Sequence, residues 1–396
     1  MVFSASSQVM IISPILPRIG ESLHVAQALL GSLVTAYAVM LSVFALITGP
    51  ISDRFGRRAV LLGGSSFMAI SLYLHGLADS YISLILVRAM AGAAGGMLSG
   101  AAVAFIGDYF PYHRRGWANG WVMSGIAVGQ ILGIPTGTII ADQMGFRWPF
   151  LLFAFAMSIA SILIWRFVPQ PKVGRDPHPL TVMRALRNYR HLMRNPEAAA
   201  GTATYFLMFF SIGLYVIYLP TWLEEHLGVG GEAIASLFFV GGFANVVAGP
   251  VAGRISDSIG RKPLIITSCI GLSVVMVMTT LVISTMWIAY LLFAVAMVLV
   301  GMRISPLQSL MSALVPDERR GILMSMAVGL GQLGVGIAGV ISGLVYAEFG
   351  FLSNTMAGAV AILTMAFMVH RFISEPILKR GNSVAAEAPA PVSELD

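Results

Sequence analysis

Apolar residues run along this chain in blocks of about twenty, and short polar breaks separate one block from the next. A bilayer core about 30 Å thick takes roughly 20 helical residues. Blocks of that length fall near 1–20, 28–50, 59–78, 81–107, 116–140 and 146–168, then near 198–219, 232–253, 263–283, 287–313, 322–346 and 353–374. The pattern predicts an all-α membrane protein with twelve transmembrane helices. The first block, from Met1 to Pro17, has no basic segment ahead of it and runs into Arg18, Glu21 and His24, so it is predicted to be the first span rather than a cleaved leader.

The longest polar break, 169–197, divides the chain into an N-terminal six-helix bundle, 1–168, and a C-terminal one, 198–374. Within this linker Arg184, Arg187, Arg190 and Arg194 recur at helical spacing opposite Met183, Leu186 and Met193, the pattern of a basic amphipathic helix lying on a lipid surface. The tail 375–396, rich in Ala, Pro, Ser and Glu, reads as disordered.

Composition sharpens the solvent assignment. Hydrophobic residues make up 57% of the chain and charged ones 11%, with a mean hydropathy of +0.84, whereas soluble domains carry about 25% charge. The net charge of +6 could point to nucleic acid, but the basic residues are spread over short loops, so no nucleic-acid partner is expected. Topology accounts for them. Arg54, Arg57, Arg58, Arg114, Arg115, Lys172, Arg261, Lys262, Arg319 and Arg320 fall in even-to-odd connections, while Asp79, Asp142, Glu224, Glu225, Glu232 and Glu348 fall in the others, where Arg18 and Arg147 are the exceptions among the basic residues. Basic loops resist translocation, which puts both termini and the linker in the cytoplasm of a bacterial inner membrane. The single cysteine, Cys269, allows no internal disulfide and reads as a buried small hydrophobe.

An internal repeat has a period of about 204 residues, the offset from Gly49 to Gly253. GPISDRFGRRAVLL, Gly49 to Leu62, is answered by GRISDSIGRKPLII, Gly253 to Ile266, after the second span of each half. The triplet at Arg114 to Gly116 returns at Arg319 to Gly321, and Gly129-Gln130 returns as Gly331-Gln332.

With these motifs the sequence resembles the major facilitator superfamily over essentially its whole length, since the G-x-x-x-D-R-x-G-R-R loop joins spans 2 and 3. LVRAMAGAAGG in span 4 and GIAVGQILGIPTG in span 5 resemble the drug:proton antiporter branch, although Gln130 and Ile134 to Thr136 depart from its usual order. The resemblance implies two pseudo-symmetric six-helix bundles that rock about a shared pocket. It also implies that Gly49, Asp53, Arg54, Gly56, Arg57 and Arg58 latch the outward-facing state. Asp257 and Arg261 repeat that latch in the second half, where Ser258 replaces the first arginine.

Other candidates follow from residue chemistry. Gly125, Gly129, Gly133 and Gly137 form a four-residue stripe that lets another helix approach, with Gly242, Gly249 and Gly253 of span 8 as the expected partner face, and Pro135 is expected to bend the helix. Arg88 in span 4 and Arg303 in span 10 are charges at membrane depth, costing roughly 2.5 kcal/mol or more, and are candidates for coupling or substrate contact. His75 titrates in a useful range and is a coupling candidate, although a lone histidine near an interface more often serves a structural role. Tyr37, Gln130, Tyr205, Asn245, Gln308 and Gln332 are candidate cavity groups. No Asp or Glu falls near the middle of a span, so coupling must use Asp53, Asp108, His75 or a substrate charge with an arginine.

An ATP-driven pump is excluded within this chain, because none of Lys172, Lys262 and Lys379 precedes Ser or Thr as a phosphate loop requires. No enzyme motif, metal site or cofactor site is found in the sequence. The expected function is secondary transport by a monomer, with proton-coupled efflux of amphipathic or drug-like molecules placed first and carriage of a metabolite or organic anion second.

Overall fold

The computed structural model describes residues 1–170, 187, 189–315 and 317–374. Lys172, Arg175 and Arg184 of the linker, the tail 375–396, and the side chains of Asp53, Arg54, Arg115 and Arg319 lie outside the described residues.

The described chain is all helix. The first half comprises α1 (Val2–Met10), α2 (Ile12–Leu23), α3 (Gln27–Leu30), α4 (Ser32–Phe55), α5 (Arg57–His75), α6 (Tyr81–Tyr109), α7 (Tyr112–Val128), a π-helical turn (Gly129–Gly133), α8 (Ile134–Met144) and α9 (Arg147–Phe167). The second half comprises α10 (Pro196–Val216), α11 (Leu219–Leu227), α12 (Gly231–Ile259), α13 (Arg261–Val282), α14 (Met286–Ala313), α15 (Asp317–Phe349) and α16 (Phe351–Phe372). Among the described residues ten stretches are long and apolar enough to cross a membrane, and the bent pair α1–α2 makes an eleventh. The remaining expected span is α5, a 19-residue helix diluted by two arginines, three serines and a histidine.

Besides the short turn at Gly31 that separates α3 from α4, three expected spans are not single straight α-helices, and proline explains each of the three. Pro14 has no N–H for the Met10 carbonyl and its ring crowds it, so the first span breaks at Ile11 and bends by 55°. Pro220 does the same to the Val216 carbonyl and separates α10 from α11. Pro135 crowds the carbonyl of Ile131, and the fifth span widens into the π-helical turn at that place. The breaks in spans 1 and 7 meet: the Ser13 hydroxyl reaches the Val216 carbonyl at 2.7 Å and the Ile217 carbonyl at 2.9 Å. Backbone groups released by one proline are thereby satisfied by the opposite half, as an apolar medium demands.

The two halves repeat each other in packing and in turn geometry. In the first, α6 packs on α4 and α5, and α9 packs on α5; in the second, α14 packs on α12 and α13, and α16 packs on α13. Gly56 (φ +94) joins α4 to α5, and Gly260 (φ +97) joins α12 to α13. Gly145 (φ +101) and Gly350 (φ +73) occupy matched places before the last helix of each half. These left-handed values are accessible without strain only to glycine, so the repeated glycines of the latch motif first serve a one-residue turn.

The halves touch along two crossings, α4 with α15 and the α8 segment with α12. At the first, glycines bring backbones together. A Cβ on Gly31 would overlap the Gly339 carbonyl oxygen, one on Gly339 would lie 2.5 Å from the Gly31 oxygen, and one on Gly343 would lie 2.5 Å from the Ala28 oxygen. Within the first half Gly92 plays the same part, since a Cβ there would overlap the Tyr37 carbonyl.

Gly92→Ala should therefore destabilise the first half by roughly 1–3 kcal/mol through overpacking against backbone. Gly63→Ala, which meets nothing within 4 Å, should be neutral. Thermal unfolding of the two variants in detergent compares them directly.

Candidate functional site

Charge is sorted to the two ends of the bundle, and the polar core lies between. At the basic end Arg57 pairs with Asp108 at 2.7 Å, tying the start of α5 to the end of α6. Arg58 donates to the Trp165 carbonyl at 2.5 Å, tying α5 to α9. Lys262 repeats this in the second half, reaching the carbonyls of His370 at 3.1 Å and Ile373 at 2.7 Å. These bonds brace helices within a half rather than across halves, and Asp257 is exposed at the end of α12. Asp108, expected among the coupling candidates, is held by Arg57.

The buried centre of the first half is a four-helix polar cluster. Arg88 on α6 is fully buried; its Nη1 donates to Gln8 Oε1 at 3.0 Å and to the Gln8 carbonyl at 3.3 Å, and its Nε to the Leu33 carbonyl at 3.4 Å. The guanidinium also lies 4.7 Å from the centre of the Tyr37 ring on α4. Gln8 lies in the last turn of α1, where the break at Ile11 leaves carbonyls without helical donors and where a cation is electrostatically favoured. The kink thus creates the acceptor that Arg88 uses. His75 on α5 is fully buried close enough to feel Arg88's charge; its Nδ1 contacts the Ser71 carbonyl at 2.7 Å and its ring lies 4.5 Å from that of Phe150.

Arg303 on α14 is the counter-example. It is equally buried, yet none of its three guanidinium nitrogens has a hydrogen-bond partner. Of the other cavity candidates, Tyr205 on α10 lies close to Gln308 on α14, Asn245 on α12 packs on Gly301, and Gln130 and Gln332 are half-buried.

The glycine stripe faces a different helix from the one expected. Cβ atoms on Gly129, Gly133 and Gly137 would overlap Ser6, Ser7 and Ile11, and one on Gly125 would lie 3.1 Å from Val2. The stripe therefore receives the first span of its own half. Helix α12 lies on another face, where Gly242 approaches the Gln130 carbonyl, while Gly249 meets nothing and Gly253 meets Ser305 of α14.

At the acidic end the halves are joined by charge. Arg18 on α2 contacts Asp142 on α8 at 2.6 Å and reaches across to Glu224 on α11 at 3.2 Å. Gln27 donates to Glu225 at 2.5 Å. The Tyr218 hydroxyl donates to the Gln27 carbonyl at 2.6 Å and accepts from the Gly31 amide at 2.9 Å. Farther along the crossing Thr35 donates to the Gly336 carbonyl at 2.5 Å and Ser42 to the Gly329 carbonyl at 2.8 Å. Sequence reasoning used Asp142, Glu224 and Glu225 only to orient the chain. It missed Gln8, whose one signal is an amide inside an apolar run.

The Major Facilitator Superfamily sequence profile matches residues 1–230 and 201–395, which together span nearly the whole chain. The chain belongs to the Major Facilitator Superfamily. As a member of it, the protein is a membrane transporter rather than an enzyme. It is 29% identical over 271 residues to the uncharacterized MFS-type transporter YceJ of Bacillus subtilis, covering 67% of each chain. It is 26% identical over 365 residues to the multidrug resistance protein MdtG of Enterobacter lignolyticus, covering 89% of this chain and 85% of that one. The crystal structure of a D-xylose-proton symporter superposes with a TM-score of 0.77 at 18% identity, covering 94% of this chain and 96% of that one, a likeness of fold.

Loss of the amide at position 8 tests the cluster. Gln8→Leu should cost roughly 1.5–3 kcal/mol, the worth of a hydrogen bond to a charged group. Gln8→Glu should keep or raise stability by giving Arg88 a carboxylate, and melting temperatures in detergent separate the two outcomes.

Proposed function

We propose that this transporter exports amphipathic small molecules in exchange for protons by alternating access, as a monomer in a bacterial inner membrane. The basic end faces the cytoplasm in this reading, because positively charged connections resist translocation. The acidic end then faces outward, and the conformation described is shut on that side. The observation that carries the proposal is the close contact between the halves at the acidic end: backbone touches backbone at Gly31 and Gly339, and an ion pair joins Arg18 to Glu224 at the same end. Two rigid halves gripped at one end can rock to open it, which is what a site exposed alternately to each side requires. The relatives named multidrug resistance proteins favour an exported, drug-like substrate.

In this reading Gly49, Asp53, Arg54, Gly56, Arg57 and Arg58, with Asp257 and Arg261, form the cytoplasmic latch that closes when the acidic end opens. The ion pair of Arg57 with Asp108 keeps the α5 terminus rigid beside it. Arg88, with His75 and Tyr37, is the coupling centre of the first half. A second reading, carriage of an organic anion, is favoured by Arg303 alone, because a buried guanidinium without a partner is costly until an anion joins it.

Cells lacking the protein should retain more of at least one hydrophobic compound than cells carrying it, and collapsing the proton gradient should erase the difference. Equal retention across a broad compound panel counts against export. Asp53→Asn should lower transport at least tenfold with normal membrane insertion, read from vesicle transport beside an immunoblot; full activity removes the latch assignment.

A further inference from the structure

The ion pair that joins the halves at the acidic end is short of positive charge. Arg18 on α2 holds Asp142 of its own half at 2.6 Å and Glu224 of the other half at 3.2 Å, and Glu21, one turn along α2, lies 3.8 Å from the same guanidinium. Three carboxylates therefore share one cation. Glu224 is the most enclosed of them, its side chain 15% exposed against 28% for Asp142 and 72% for Glu21.

Among the described residues no second cation stands beside Glu224. Arg147 on α9 is engaged by the Ala78 carbonyl and Asp79. His24 at the end of α2 and Glu232 in the first turn of α12 are exposed, and α10 brings no charged side chain to this end. On α11 itself, Glu225 accepts from Gln27 and Tyr346, while His226 stacks on Trp222 and contacts the Ile283 carbonyl.

Closure is what assembles this charge. Glu224 belongs to the second half, whereas Arg18, Glu21 and Asp142 belong to the first. A Cβ on Gly231, at the start of α12, would lie 2.8 Å from Asp142 Cγ, so the second half covers that carboxylate too. When this end opens, Glu224 regains water and leaves the other two carboxylates behind; when it shuts, Glu224 loses water and meets them. Glu224 stands beyond the seventh span, predicted over 198–219. Burial pushes its carboxyl above the usual range; Arg18 offsets part of that, and Asp142 and Glu21 add to it. By linkage, protons favour the conformation in which the group binds them more tightly. The shut end is that conformation. Its advantage is complete below the ordinary carboxylate range and is lost as pH rises through the raised value.

We propose that this contact between the halves is a pH-sensitive switch: closure draws a proton onto Glu224, so acid outside holds the end shut and alkali loosens it. The switch rests on the reading that this end opens and shuts during transport. An acid exterior then favours the conformation open to the cytoplasm, where an exported substrate is collected. The opposite sign, in which protonation breaks the bond to Arg18 and opens the end, would require the ion pair to outweigh burial and the two like charges.

The two signs are separated by spin labels on cysteines replacing Leu77 and Trp287, exposed side chains at the outer ends of the two halves that do not titrate, in a Cys269→Ser background. Lowering the pH of the purified protein from about 8 to about 4.5 should raise the ratio of the shut to the open distance by about threefold or more. Glu224→Gln should remove this pH dependence and keep the short distance throughout. Asp142→Asn frees Arg18 for Glu224 and removes a neighbouring charge, so it should move the midpoint to lower pH by about one unit; if Glu224→Gln does not fold, this variant decides. A distance that lengthens in acid, a ratio independent of pH, an undiminished response in Glu224→Gln or an unmoved midpoint in Asp142→Asn would each overturn the switch and leave alternating access standing. A single distance at every pH would overturn both.

Discussion

Contact between the halves of this protein depends first on backbone meeting backbone. In lipid no hydrophobic force separates a protein surface from its solvent, so helices associate through close packing and hydrogen bonds. Gly31, Gly339 and Gly343 remove the side chains that would hold α4 and α15 apart, and Tyr218, Thr35 and Ser42 then reach carbonyls across the crossing. Such a surface is tight when closed and leaves few bulky groups to clash when it slides. The pairing of proline breaks through Ser13 adds a second device of the same kind, because polar backbone released in one half is satisfied by the other.

Much of this was legible in the sequence for a physical reason: the bilayer imposes a length and an apolarity on each span, and both are written locally. The repeat at Gly49 and Gly253 foretold the matched halves, and the structure gives its glycines a concrete duty at Gly56 and Gly260, where positive φ makes a one-residue turn. The stripe from Gly125 to Gly137 announced a close helix neighbour. It could not say which one, because a smooth helix face carries no address; the first span occupies it and α12 does not. Gln8 escaped notice because its importance depends on the kink at Ile11 and on Arg88, far away in the sequence, coming to rest beside it. The carboxylates at the acidic end were visible as topology markers, but their convergence on Arg18 requires three helices to meet.

The two buried arginines show how the same residue type can stand in opposite electrostatic situations. Arg88 is held through Nε and Nη1 by a side-chain amide and two carbonyls and through its plane by an aromatic face, with Nη2 alone left without a partner. Arg303 has no such shell. A charge left bare at membrane depth is a store of free energy that any arriving anion or water would release, which is why the second half, rather than the first, offers the open electrostatic question.

The central claim is that the crossing of α4 and α15 must come apart for transport to proceed. A Cβ on Gly336 lies 3.3 Å from that of Ala38 across this crossing, close to the separation of about 3.8 Å found in disulfides. With cysteines at both positions and Cys269 replaced by serine, oxidation should abolish transport in vesicles and reduction should restore it. Undiminished transport by protein in which the bridge has fully formed would contradict the account.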